Sequence, residues 1–114
     1  MSIPKELSLL SLFECEPKLL DNNVPYYYNE ATYEFCNYAR EKFVVIICPS
    51  YSDIKIQVYS YDNEILSILD FKSVNRFEIL SDKKDESKIE IKTKCSLVEI
   101  NFKPRFKVFL KPIG

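Results

Sequence analysis

Residues 43–59, FVVIICPSYSDIKIQVY, decide how this chain folds. Phe43 to Cys48 is its longest apolar run and offers apolar side chains to both faces. That predicts a central β-strand covered on both sides. Pro49-Ser50-Tyr51-Ser52 breaks the run. Ile54, Ile56 and Val58 then alternate with Lys55, Gln57 and Tyr59, the period of two of a half-buried strand. The same alternation extends in both directions. Upstream, Tyr33, Phe35 and Asn37 alternate with Thr32, Glu34 and Cys36. Downstream come Ile65 to Phe71, then Phe77 and Ile79, then Ile89 and Ile91. Val98, Ile100 and Phe102 follow, then Phe106, Val108 and Leu110. Turn signals separate these stretches: Asp21-Asn22-Asn23, Tyr61-Asp62-Asn63-Glu64 and the charged run Ser81 to Ser87.

Only residues 2–13 read as helix. Ser2 is placed to cap it and Pro4 suits its first turn. Leu7, Leu10 and Phe13 recur at near-helical spacing, and Leu9 and Leu12 widen the apolar stripe, as expected of a helix docked on a sheet. The predicted class is therefore α+β, predominantly β: a short N-terminal helix, then an antiparallel meander of about eight strands. Such a meander forms a curved sheet, a sandwich or a partly open barrel. With 114 residues and no linker or repeat, 1–114 reads as a single domain.

Composition excludes more than it includes. Histidine and tryptophan are absent and the one glycine is Gly114. Without histidine there is no usual catalytic triad and no imidazole metal ligand. Without internal glycine there is no phosphate-cradling loop, and tight hairpins must use Asn or Asp at left-handed positions, or longer loops, with Tyr61-Asp62-Asn63-Glu64 the best such turn. Cys15, Cys36, Cys48 and Cys95 form no CxxC pair, so no zinc or redox motif is expected. The start Met1-Ser2-Ile3-Pro4 lacks a signal peptide's basic and apolar regions, and no apolar run nears the roughly 18 residues of a membrane span. A cytoplasmic protein with free thiols, no cofactor, no metal and no membrane partner is the expectation. Carboxylate pairs such as Glu14 with Glu16 are unremarkable among 17 acids, so no enzyme is expected.

Charge and aromatics point to binding. Residues 1–41 hold seven acids and three bases, whereas 87–114 hold seven bases and two acids. Such division suits electrostatic steering toward a charged partner. Tyr26-Tyr27-Tyr28 cannot all enter one core face, because neighbours in an extended segment point to opposite sides. An exposed tyrosine beside carboxylates makes an interface anchor. The candidate partner-binding residues are Glu14, Glu16, Asp21, Tyr26, Tyr27, Tyr28, Glu30 and Glu34. The basic C-terminal strand beside aromatics could stack single-stranded nucleic acid, but the acidic third would repel phosphate, and no nucleic-acid partner is expected.

Leu9 to Tyr28, LLSLFECEPKLLDNNVPYYY, leads into a meander that ends Phe109-Leu110-Lys111-Pro112, and contains the Phe-x-x-x-Pro element Phe13 to Pro17. This layout resembles small immunity proteins of bacterial polymorphic-toxin and contact-dependent growth inhibition systems. The resemblance implies a protein that binds and neutralises one cognate toxin domain, often by covering its active site. Many such toxins are cationic nucleases, which would suit the acidic segment. The rival readings are a small-ligand β-barrel with a cavity lined by Phe35, Ile46 and Ile56, a phage or mobile-element inhibitor of a host protein, and an oligomerisation module paired through an exposed edge strand.

Overall fold

The computed structural model describes residues 1–113. A helix, α1 (Glu6–Phe13), precedes nine strands: β1 (Lys18–Leu19), β2 (Ala31–Cys36), β3 (Lys42–Cys48), β4 (Asp53–Tyr59), β5 (Ile65–Phe71), β6 (Val74–Lys83), β7 (Glu86–Thr93), β8 (Leu97–Lys103) and β9 (Lys107–Lys111). They form two antiparallel meanders. One sheet runs β1-β2-β3-β4-β5 and the other β6-β7-β8-β9. The expected α+β, mostly β class holds. Of the architectures expected, two open sheets around one core are what forms, and neither closes into a barrel.

The core is built from the alternation. Phe43, Val45 and Ile47 of β3 and Ile54, Ile56 and Val58 of β4 are buried with Phe77, Ile89, Ile91, Val98, Ile100 and Phe102 of the second sheet. Phe102 stands between the layers. Its ring centroid lies 5.8 Å from Phe13, 5.4 Å from Phe35 and 5.2 Å from Phe43, each edge to face, the favoured aromatic geometry.

Four expectations are corrected. The helix begins at Glu6, not Ser2: the Ser2 N–H donates to the Asn75 carbonyl (3.0 Å) and its own carbonyl accepts from Phe77 N–H (2.8 Å), so residue 2 extends along β6 instead of capping. The buried stripe of α1 is Leu9, Leu12 and Phe13, while Leu7 is 78% exposed. Both halves of the stripe were apolar, and the aromatic partners of Phe13 decided which half turned inward. Next, β3 is central but covered on one face only. Val44, Ile46 and Cys48 lie half-buried on the outer face, flanked in register by Thr32, Glu34, Gln57 and Lys55. This places Ile46 outside, so the cavity expected of a ligand-binding barrel has no wall there. Finally, the Ser81–Ser87 run is mostly strand: β6 and β7 meet at the short Lys84-Asp85 turn, with a register shift between them at Ile79/Ser81 and one between β7 and β8 at Ser87/Lys88. Asn63 is left-handed as expected (φ 66°), but so are Glu14, Arg40, Ser52 and Ser73. A chain without internal glycine must place other residues there.

Candidate functional site

The segment from Glu14 to Glu34 lies along one edge of the five-stranded sheet. Glu14 caps α1 in the left-handed region (φ 55°), and its carboxylate pairs at 3.2 Å with Lys103 Nζ, whose side chain is almost wholly buried. Lys18 and Leu19 pair with Thr32 and Ala31. Beyond them the chain loops out through Asp21 and Asn23 and returns at Glu30, where Leu20 N–H meets the Glu30 carbonyl.

Asn29 holds this loop. It is 5% exposed, and its side-chain amide donates to the carbonyls of Asp21 (2.6 Å) and Val24 (2.9 Å). Its Oδ1 accepts from the N–H of Asp21 (3.2 Å) and of Glu30 (3.0 Å). Asp21 Oδ1 accepts from Asn23 N–H, an Asx turn. The sequence reading passed over Asn29. Its signal was an asparagine just before a strand and eight residues after a turn aspartate.

Tyr26-Tyr27-Tyr28 is a turn of 3-10 helix, not extended chain. Such a turn spaces side chains about 120° apart, so one faces inward and two face out. Tyr26 is half-buried, and its hydroxyl meets that of Tyr33 at 2.7 Å. Burial pushes both phenols above their ordinary range. Tyr27 and Tyr28 are exposed, with rings edge to face at 5.3 Å. The expected exposure is found, by a geometry other than the one that predicted it.

The carboxylates divide into two sets. Glu14 is taken by Lys103, and Asp21 serves the loop. Glu30 accepts from the Cys48 thiol at 3.7 Å. Burial, and then the Glu30 charge, push that thiol up to about 11, so Cys48, expected in the core, is a protonated donor on the outer face. Glu16 and Glu34 are exposed. Glu16 rims a groove of about 280 Å³ with Glu6, Leu7, Leu10, Pro17, Leu19 and Tyr33. A wider depression of about 720 Å³ continues it past Glu6 and Leu7 to Pro25, Tyr26 and Tyr27. Glu34 rims a separate cleft of about 370 Å³ against Phe35, Phe43, Val44 and Tyr59. The structure thus gathers Glu16, Tyr26 and Tyr27 into one trough along α1. It adds Glu6, Leu7 and Leu10, which the sequence reading had assigned to the helix alone. Among the described residues, no cluster of three or more His, Cys, Asp or Glu is arranged to hold a metal, and no helix is long and apolar enough to cross a membrane.

The trough so formed is lined by apolar and aromatic side chains, with Glu6, Glu16 and Lys5 at its rim. No family model and no curated protein matches the chain by sequence. Its fold is nonetheless shared. It superposes with a TM-score of 0.71 and 24% identity, over 96% of this chain and 95% of the other, on a chain of the solved structure described as a contact-dependent growth inhibition toxin–immunity protein complex from Klebsiella pneumoniae 342. The layout resemblance read from the sequence has a counterpart at the level of fold.

Proposed function

We propose that this chain is a non-catalytic immunity protein that neutralises a cognate toxin domain by stoichiometric binding. The observation that carries the reading is the trough along α1. There Leu7 of α1 stands exposed beside Glu6 and Glu16, and Tyr27 faces it from a loop already ordered by Asn29, which also carries the exposed Tyr28. Exposed tyrosine offers large contact area at small entropic loss, and free carboxylates speed encounter with a cationic partner. The fold shared with a chain of a toxin–immunity complex supports the same reading. The protein is cytoplasmic in this proposal and needs no metal, cofactor, nucleic acid or membrane. Glu16, Tyr27, Tyr28 and Glu34 make direct contact, whereas Glu14, Asp21, Tyr26 and Glu30 hold the contact surface in shape.

The test is to search the neighbouring genes for a toxin, co-express its C-terminal domain with this chain, and titrate the purified pair. Protection of cells and a one-to-one complex are expected. Tyr28→Ala should weaken the complex about 30-fold, an anchor's worth of about 2 kcal/mol. Glu16→Lys with Glu34→Lys should slow association and flatten its salt dependence. Growth arrest by this chain alone, or turnover of any substrate by it, would overturn the proposal.

A further inference from the structure

Two open sheets leave four strand edges, and three are guarded. β1 is only two residues long. β6 is accompanied by Ser2, bonded to Asn75 and Phe77, and by α1, whose Ser11 hydroxyl donates to Asp82 at 2.6 Å. β9 carries Lys107 and Lys111, and pairing it antiparallel with itself about Phe109 would set one lysine against the other. Charged edge residues of this kind are how β proteins resist edge-to-edge association.

β5 has no such guard. It is hydrogen-bonded to β4 on one side only. Ile65, Leu66 and Ile68 are 62%, 49% and 52% exposed, and Asp70 is the one charged residue within the strand. The segment Glu64-Ile65-Leu66-Ser67-Ile68-Leu69-Asp70-Phe71-Lys72 is also complementary to itself. A twofold axis through Ile68 sets Glu64 opposite Lys72 at both ends, Ile65 opposite Phe71, and Ile68 opposite its own copy. Lys72 is 67% exposed and salt-bridged to Asp53 and Asp70, so Asp70 keeps its counter-ion where it faces Leu66.

We propose that β5 pairs antiparallel with β5 of a second copy of this chain, centred on Ile68, joining the two five-stranded sheets into one. The closed twofold contact satisfies both edges at once and leaves no strand for further growth. It lies at the opposite edge of the sheet from the trough along α1, so it neither competes with that trough nor depends on it; the Glu34 cleft, which reaches Tyr59 and Asn63, is the part of the proposed surface nearest to it.

A single strand pair makes a small interface, below about 1,200 Å², so sedimentation velocity should span about 5 to about 500 µM. The weight-average mass should rise from the 13.5 kDa of one chain toward twice that value. Ile68→Lys should weaken self-association at least about tenfold, with a circular dichroism spectrum showing that it folds, while Phe109→Lys on β9 leaves it intact. Lys72→Glu should weaken it and Glu64→Lys in the same chain restore it. In a Cys36→Ser, Cys95→Ser background, oxidation should link Ile68→Cys into dimers and leave Leu66→Cys monomeric, since residues directly opposite in a ladder stand closest. A monomer throughout the range overturns the proposal, as does association that survives Ile68→Lys. A monomer whose binding to the toxin domain is lost in Ile68→Lys also overturns it, by assigning β5 to that partner. Loss of toxin binding in Tyr28→Ala with dimerisation intact would touch only the proposed function.

Discussion

At the residue scale, the loop that carries Tyr27 and Tyr28 is shaped by side chains that are themselves buried or paired within the fold. Asn29 satisfies four backbone groups of a loop whose one regular element is the 3-10 turn Tyr26–Tyr28. Truncating it would leave several buried or half-buried donors and acceptors without partners, at a cost of about 1–3 kcal/mol. Asn29→Ala should therefore lower the unfolding free energy read from urea titrations by that amount and weaken the proposed partner binding as well, because Tyr27 and Tyr28 are carried by the loop it closes. Unchanged stability in urea titrations would mean the loop is held some other way. Glu14 shows the same economy. Its carboxylate meets the buried Lys103 amine, so a residue that reads as surface charge in the sequence is a structural partner in the fold.

At the scale of elements, Lys111 of the basic C-terminus is used within its own sheet. The register of β6, β7 and β8 sets Glu78, Glu90 and Glu99 directly opposite one another, an unfavourable row of like charges on one face. Arg76 bridges Glu78 and Glu90 at 3.1 Å, and Lys111 bridges Glu90 (2.8 Å) and Glu99 (3.0 Å). The hydrogen bond from Lys111 is the main cause that holds the Glu90 carboxyl below its ordinary value near 4.5. A lowered carboxyl value means the ion pair contributes fully above that ordinary value and is lost as pH falls through the depressed one. Stability should therefore decline from about pH 5 toward pH 3. Glu90→Gln should be less stable at neutral pH and show a shallower decline, as read by denaturant titrations at several pH values. Equal slopes in the two proteins would remove Glu90 as a source of the acid sensitivity.

At the scale of the molecule, the shared core of the two sheets is pinned at one end by specific contacts. Phe102 packs its ring among Phe13, Phe35 and Phe43, and its carbonyl accepts from Asn37 Nδ2 at 2.8 Å. Glu41 Oε1 accepts from that same amide and from Phe106 N–H, both at 2.8 Å. A turn of the first sheet is thereby tied to the last two strands of the second. If residues 1–114 form one domain, as expected from the sequence, then far-ultraviolet circular dichroism and tyrosine fluorescence should report one coincident unfolding transition. Phe102→Ala should shift both together by about 3–5 kcal/mol. Two separated transitions would mean that each sheet folds on its own.

Most strands, their face alternation, the turn at 61–64 and the mostly β class were legible in the sequence because each depends on neighbours two to four residues apart; β1 and the facing ends of β6 and β7 were not. The exposure of tyrosines in the 26–28 triplet was legible too, since no local geometry lets three consecutive large rings share one buried face. What depended on distant partners was not. Whether Leu7 or Leu9 turned inward was decided by the rings around Phe13. Ser2 left its helix for a backbone partner more than 70 residues away. The outer face of β3 stayed open because no element was left to cover it. Local chemistry therefore determined the strands and the presence of a tyrosine-rich acidic surface. Only tertiary packing decided which carboxylates remained free on it, because a charge is available to a partner only where the fold has not already given it a counter-ion.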